Sequence, residues 1–297
     1  MKQDHDVNSN GFAPAKINLT LHVGASINDG PYSGYHPVDS LVVFADIGDQ
    51  VTYDADAGSV GEITLDISGP FSKGLMADDD NLVLKAARAF FTANELTPRG
   101  QFHLIKSLPL ASGIGGGSAD AAAALRLLAA WFNVDKFAAG SLAARIGADV
   151  PVCYASKTAH MQGIGETVDV KNGLGAVPAL LVNPGFAVST AEIFKTFDGQ
   201  PSDTLPQGQN WRGSLYDIAM AGGNDLQAIA LSLQPEIDDV IKLISAQQGC
   251  RLARMSGSGA TCFGLFETYK QAQIAMDRVK SYHPHYWCHA VMLGKAP

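Results

Sequence analysis

Leu108-Pro109-Leu110-Ala111-Ser112-Gly113-Ile114-Gly115-Gly116-Gly117-Ser118-Ala119-Asp120, running on into Ala121-Ala122-Ala123-Ala124-Leu125, decides how this 297-residue chain is read. Three consecutive glycines lack Cβ atoms, so backbone there can approach a ligand closely and adopt unusual dihedrals. The alanine run behind them has high helix propensity, and Ser118 reads as the helix N-cap. Unpaired N–H groups and the positive end of a helix dipole then face the loop, which makes an anion site. The bland alternative is a flexible turn before an ordinary capped helix; a glycine triplet followed by Ser-Ala-Asp weighs against it. Two familiar phosphate motifs do not fit. A Walker A loop needs Gly-Lys-Ser/Thr, and no lysine stands between Lys106 and Lys136. A dinucleotide fingerprint needs glycine where Ser118 stands and follows an early strand.

Outward from the loop, residues 102–108 read as the strand that feeds it, and the helix behind it runs through Asn133. A further helix at 138–147 precedes Asp149-Val150-Pro151. Toward the amino terminus, residues 1–11 read as a weakly held arm, and 13–52 are strand-like. There Ile17, Leu19, Leu21 and Val23 alternate before the apolar run Leu41-Val42-Val43-Phe44. Residues 61–68 continue the strands. A helix at 81–94 gathers Leu82, Ala86, Ala87, Phe90 and Phe91 on one side. After about residue 158 a second α+β segment begins. Its strands are expected at 179–182, 261–266 and 286–292, with a further element starting at 192–197. Two amphipathic helices, 224–233 and 236–246, are divided by Pro235. The expectation is therefore an α+β chain of two domains, 11–158 and 159–297.

Composition narrows the function. With 46% hydrophobic and 17% charged residues there is ample material for a core. A formal charge of −8 argues against a nucleic-acid surface, which needs a basic footprint. Four scattered cysteines without a Cys-x-x-Cys pair read as reduced thiols. The polar start Met1-Lys2-Gln3-Asp4-His5-Asp6 does not read as a secretory signal. The apolar run 121–132 is broken by Arg126 and too short to span a bilayer. The expected location is the cytoplasm, with no membrane partner. Around His283, His285, Cys288 and His289, Pro284 and the aromatic Tyr286-Trp287 read as the entry to a strand, not as a metal site.

The loop resembles the second motif of the GHMP kinases, and other segments narrow the match. Pro14-Ala15-Lys16-Ile17-Asn18-Leu19 and Gly34-Tyr35-His36, the latter followed by Asp39-Ser40-Leu41, resemble segments of the 4-diphosphocytidyl-2-C-methyl-D-erythritol kinases of isoprenoid precursor synthesis. So do Ile146-Gly147-Ala148-Asp149-Val150-Pro151 and Gly163-Ile164-Gly165-Glu166. Ser256-Gly257-Ser258-Gly259-Ala260-Thr261 resembles the third, glycine-rich motif of the superfamily. The segments keep their order from about residue 13 to 266. One departure is the stretch 24–33, longer and less basic than the family's short turn. The resemblance implies an N-terminal ribosomal-S5-domain-2-like domain and a C-terminal ferredoxin-like α/β sandwich. It implies ATP and Mg2+, phosphorylation of the 2-hydroxyl of the cytidylyl-methylerythritol, and a small-molecule partner carrying a cytidine diphosphate group.

The resemblance also distributes roles. Asp149 accepts the proton of the acceptor hydroxyl, and Lys16 beside it offsets charge. Pro109, Leu110, Ala111, Ser112, Gly113, Ile114, Gly115, Gly116, Gly117, Ser118 and Ala119 hold the ATP phosphates, with Ser118 reaching Mg2+ or a phosphate oxygen. Asn81 and Lys106 match positions near the nucleotide. Tyr35 and Phe194 sandwich the cytosine ring, His36 reads its edge, and Asn18 and Thr190 contact the polyol or diphosphate. Outside this family pattern, Asp149 reads as a turn residue, Lys16 as a strand lysine, Asn81 as a cap, and Tyr35 and Phe194 as core aromatics. Asp120 reads equally as a first-turn acid stabilised by the helix dipole. Rivals are a superfamily kinase acting on homoserine, mevalonate or a sugar, and a catalytically silent binding relative.

Overall fold

The computed structural model describes residues 10–197 and 213–295. In chain order it begins with β1 (Asn10–Asn18), β2 (His22–Val23), β3 (Val38–Asp54), β4 (Thr64–Ser68), α1 (Leu82–Ala93) and β5 (Gln101–Ile105). Four helices follow: α2 (Gly116–Trp131), α3 (Lys136–Gly140), α4 (Ala143–Ile146) and α5 (Val150–Ala155). Then come β6 (Ala159–Gly163), β7 (Thr167–Val170), β8 (Val177–Asn183), α6 (Thr190–Thr196), α7 (Leu215–Ala221), α8 (Gln227–Leu233) and α9 (Glu236–Ser245). The chain closes with β9 (Cys250–Met255), β10 (Cys262–Phe266), α10 (Tyr269–Tyr282) and β11 (Trp287–Leu293). Among the described residues no helix is long and apolar enough to cross a membrane.

The chain forms two compact units, and no single cut separates them. The first unit comprises Met1–Ala15, Gly48–Leu110 and Gly115–Ala155; the second comprises Lys16–Ile47, Ala111–Ile114 and Ser156–Pro297. A boundary at 158/159 would leave Lys16–Ile47 with the wrong partners, because these strands pack with the carboxy-terminal half. The reason is visible in β3. Its first half pairs with β6 and its last five residues, Gln50 to Asp54, pair with β5.

In the first unit, β5 pairs in parallel with β4 and antiparallel with the end of β3. Helix α1 starts because the Asn81 side chain accepts from the Val83 amide, and it buries Val83, Leu84, Ala86, Ala87, Phe90 and Phe91. That spacing is one helical face. The aromatic core joins Phe91 to Phe132 at 5.3 Å and Tyr53 to Phe102 at 4.8 Å, within the range of favourable ring pairs. The helix expected at 138–147 is two short ones, α3 and α4. The Asp135 side chain caps α3 early, and the two part at Ser141 and Leu142. Asn10 and Gly11, expected in a weakly held arm, belong to β1; the rest of that arm lies outside the described residues.

In the second unit, β11, β8, β10 and β9 form an antiparallel sheet in that order. Helix α9 packs on β9 and β10, and α10 packs on β11 and β8. The chain order β8, helices, β9, β10, α10, β11 with this strand order is the ferredoxin-like arrangement. Every residue of β10 is buried, as a central strand covered by helices requires. The other strands of this unit are β2, β6, β7 and the first half of β3.

Candidate active site

The glycine loop divides between the units, so each half is built separately. In the first unit, Gly115 takes the left-handed conformation (φ 65°) and stands as N-cap of α2. This is a conformation that a Cβ disfavours. The first intrahelical bond runs from the Ala119 N–H to the Gly115 carbonyl, 2.8 Å. The amides of Gly116, Gly117 and Ser118 therefore come before the helical ladder and point out of the helix end. No side chain caps the helix, and Ser118 lies inside it as its third residue. The expected N-cap role of Ser118 is thus corrected: glycine in the left-handed region does the turning, and the serine hydroxyl caps nothing.

Beneath this helix start lies a buried charge cluster. The Lys106 ammonium donates to Asp49 Oδ2 at 2.5 Å and to Asp120 Oδ2 at 2.6 Å, with all three side chains at most 3% exposed. Asp49 Oδ1 also accepts from the amides of Ser107 (2.5 Å) and Leu108 (2.8 Å), the two residues leading into the loop. Burial lowers the Lys106 pKa, but Asp120 and Asp49 outweigh it and hold the lysine above its ordinary value. Burial pushes the Asp120 carboxyl up to about 8 against the pull of Lys106. Asp120 is therefore not an exposed first-turn acid. It sits in the second turn as an interior group, and its Oδ1 has no partner among the described residues. Lys106, expected at the nucleotide, has its ammonium committed to two carboxylates inside the unit. Sequence reasoning missed Asp49. The available signal was Lys106 itself, which continues the buried face of Phe102 and Leu104 just past β5, where a lysine needs a counter-ion.

The other first-unit residues have simple settings. Asn81 spends both ends of its amide locally, Oδ1 on the Val83 amide and Nδ2 on the Met76 carbonyl (both 3.0 Å). Half-buried Asp149 precedes α5, where its carbonyl accepts from the Cys153 amide at 3.1 Å. Pro151 is tolerated there because the first turn of a helix needs no N–H from it. Pro109 and Leu110 also belong to this unit.

In the second unit, Ala111–Ile114 lie against the third glycine motif. A Cβ on Gly113 would stand 2.5 Å from the Ser256 carbonyl oxygen and 2.7 Å from the Gly259 nitrogen. The Thr261 amide donates to the Ser112 carbonyl (3.1 Å), and Ser256 Oγ donates to the Gly113 carbonyl (3.2 Å). Buried Lys16 joins by its backbone, donating its amide to the Ile114 carbonyl at 2.9 Å.

The residues expected at the acceptor substrate form two groups in this unit. Asn18 donates from Nδ2 to Ser40 Oγ (2.7 Å), and Ser40 donates its own hydroxyl proton to the Thr20 carbonyl (2.5 Å). The Asn18 amide N–H reaches Ser256 Oγ at 3.2 Å, and Thr190 Oγ1 pairs with Ser258 Oγ at 2.7 Å. So Asn18 and Thr190 both bond serines of the third glycine motif. Separately, His36 lies 6.0 Å from Phe194 and 5.5 Å from Phe197, ring centre to ring centre. His36 Nδ1 must donate to the Gly24 carbonyl (2.9 Å), which leaves Nε2 of the neutral ring as an acceptor. Tyr35 is 55% exposed and edge-on to Tyr32 at 6.3 Å, away from any core role. Among the described residues no cluster of three acids, histidines or cysteines could hold a metal. A magnesium ion bound mainly by phosphates and water needs only one or two protein oxygens, and the uncommitted Ser118 hydroxyl fits that demand.

Comparison with known proteins identifies the family of the chain. The N-terminal domain of the GHMP kinases matches residues 81–157, and the GHMP kinases C-terminal domain matches 212–285. A 4-diphosphocytidyl-2-C-methyl-D-erythritol kinase of Dinoroseobacter shibae is 46% identical over 280 residues, covering 93% of this chain and 92% of the relative. One of Methylobacterium radiotolerans is 45% identical over 286 residues, covering 93% and 95%. A crystal structure of 4-(cytidine 5'-diphospho)-2C-methyl-D-erythritol kinase superposes with a TM-score of 0.73 at 28% identity, over 96% of this chain and 99% of that one. A homoserine kinase from Cytophaga hutchinsonii shares the fold, with a TM-score of 0.71 at 16% identity over 98% and 96% of the two chains.

Proposed function

From the place of this chain in the 4-diphosphocytidyl-2-C-methyl-D-erythritol kinase family, to which it belongs, we infer that it phosphorylates the 2-hydroxyl of 4-diphosphocytidyl-2-C-methyl-D-erythritol with ATP, a step of isoprenoid precursor synthesis. The observation that carries the reading is the uncapped start of α2 behind the left-handed Gly115. Three amides and the dipole end make a cradle for a polyphosphate, and no side-chain oxygen competes for it.

Phosphoryl transfer asks a protein for positioning and charge neutralisation. The bond from the γ-phosphorus to its bridging oxygen breaks, the 2-hydroxyl oxygen bonds to phosphorus, and ADP leaves. Asp149 takes the hydroxyl proton, or holds the hydroxyl so that the proton leaves as the new bond forms. Lys16 balances the negative charge that spreads over the transferred group. Residues 109–119 receive the donor phosphates, and Mg2+, when bound near Ser118, neutralises phosphate charge.

The cytidine end is read by the second unit. Tyr35 and Phe194 offer ring faces to the base. The Nε2 acceptor of His36 suits the exocyclic amine of cytosine, a donor that uracil lacks. Asn18 and Thr190 take the polyol or diphosphate. The substrate is therefore a small molecule carrying a cytidine diphosphate group, and we place the enzyme in the cytoplasm. The test is ADP release with Mg-ATP, offering the cytidylyl-methylerythritol, homoserine and mevalonate in parallel. Selective turnover of the first is expected. Turnover of either other acceptor alone would remove Tyr35, His36 and Phe194 from base recognition, and ATP binding without turnover of any would leave a silent relative.

A further inference from the structure

We propose that Asp49 is a positioning residue for the phosphate donor, setting where the glycine loop and its helix begin although it cannot itself touch a nucleotide. Asp49 is 0% exposed, so any effect on ATP passes through other groups. Its carboxylate accepts three bonds from three consecutive residues at the loop entrance: the Lys106 ammonium on Oδ2, and the Ser107 and Leu108 amides on Oδ1. Two adjacent backbone amides on one oxygen fix the direction in which the chain leaves β5. Through Lys106 the same carboxylate reaches Asp120 in the second turn of α2, so both ends of the turn are held from one point. The fit is close. A Cβ at Gly116, the first residue of α2, would stand 3.0 Å from Lys106 Nζ and 3.8 Å from Asp49 Oδ2. The first helical residue therefore rests directly on the ion cluster, and the direction of its amides depends on where the cluster lies.

Lys106 then acts as the strut between Asp49 and α2 instead of as a nucleotide contact. A carboxylate is what the place requires. An amide of the same size can accept on one atom, but its NH2 group would face the Lys106 ammonium, so it cannot both anchor the loop entrance and hold the lysine. Because anchored amides act on the donor, the loss should appear in ATP and not in the acceptor.

The role of Asp49 rests on the reading of residues 109–119 as the ATP cradle, and the experiment separates the two. Mg-ATP binding to the wild-type protein is measured first; its absence would overturn the cradle and the positioning role with it. Steady-state kinetics then follow for Asp49→Asn and Asp120→Asn, with the melting temperature of each. For Asp49→Asn the KM for Mg-ATP should rise about tenfold or more, with the KM for the cytidylyl substrate within about twofold of wild type. For Asp120→Asn, which cuts only the strut, the rise should be smaller, about threefold. Should Asp49→Asn fail to fold, the ratio of the two KM values in Asp120→Asn decides between the outcomes. An ATP KM at the wild-type level in the folded variants would overturn the proposal. So would a melting loss in which both KM values move together, since that marks support of the fold and nothing more.

Discussion

Two glycine-rich segments of this molecule do similar work on different foundations. The start of α2 in the first unit rests on ions: Gly116 lies over Lys106, Asp49 and Asp120. The other half of the same loop, Ala111–Ile114 in the second unit, rests on neutral groups: the Ser256 hydroxyl, the Thr261 amide and the bare backbone of Gly257 and Gly259. Charges attract at a distance and tolerate small displacements, whereas interlocked backbone depends on contact and tolerates none. The difference teaches that glycine is needed for two reasons in one loop. At Gly113 it is required by strain and crowding together, and at Gly116 by crowding alone.

The largest expected effect lies on the charged side, where the chemistry is assigned. Asp149→Asn should lower kcat by about 10²–10⁴ while Mg-ATP binding stays largely intact. Near-normal turnover would take the proton-accepting role from Asp149. Next comes the direct contrast between the two glycines. Gly113→Ala puts a Cβ at φ +73° and within 2.7 Å of three backbone atoms of the third motif. Backbone cannot swing aside, so a loss of about 3 kcal/mol or more is expected in denaturant unfolding. Gly116→Ala meets the tip of a lysine at 3.0 Å with no adverse φ. Its expected loss is about 1–2 kcal/mol. Equal losses, or the reverse order, would break the distinction between interlocked and ionic support.

Much of the fold is legible in the sequence. Helix α1 declares itself through the Asn81 cap and the spacing of Phe90 and Phe91, and β10 through an uninterrupted apolar run. Local signals of this kind lie within a few residues of what they determine. The division into units is not legible, because it depends on β3 pairing with β6 by one half and β5 by the other. Nothing within 17 residues of strand announces a change of partner. The site shows the same split. The Gly-Tyr-His segment and the glycine loop stand out as local patterns, but Asp49 is separated from Lys106 by 57 positions and looks like any strand-edge acid. Ser118 misleads because a serine before an alanine run is the ordinary cap, and the rarer left-handed glycine N-cap leaves no side-chain signature.

The ionic foundation also makes a prediction about pH. Asp120 in the folded protein titrates near 8, raised by burial above the ordinary aspartate value of about 3.9. A raised acid contributes stability that is complete below the unfolded value and is lost as pH climbs through the folded one. Unfolding free energy should therefore fall between about pH 4 and pH 8, by about 1.4 kcal/mol for each pH unit from this group, and level off above the folded value. Asp120→Asn removes the titration, so its stability curve should be flatter than wild type between about pH 5 and 8. Parallel curves would mean that Asp120 is already ionised at neutral pH, and the cluster would then carry a net negative charge beneath the phosphate cradle.

The smallest effect belongs to the neutral foundation. Ser256 Oγ accepts from the Asn18 amide and donates to the Gly113 carbonyl, both at 3.2 Å. Ser256→Ala deletes both bonds and leaves one amide and one carbonyl to find other partners. Neutral bonds contribute about 0.5–1.5 kcal/mol net and these two are long, so a loss of about 1 kcal/mol in unfolding is expected. The interlock of Gly113 with Gly259 does not involve the hydroxyl, and it should keep Ala111–Ile114 in place. On that argument the ATP KM of Ser256→Ala changes little, in contrast to the rise expected for Asp49→Asn. A comparable rise would mean that the hydroxyl, and not the backbone contact, orients this half of the loop. The two foundations would then differ in charge but not in kind.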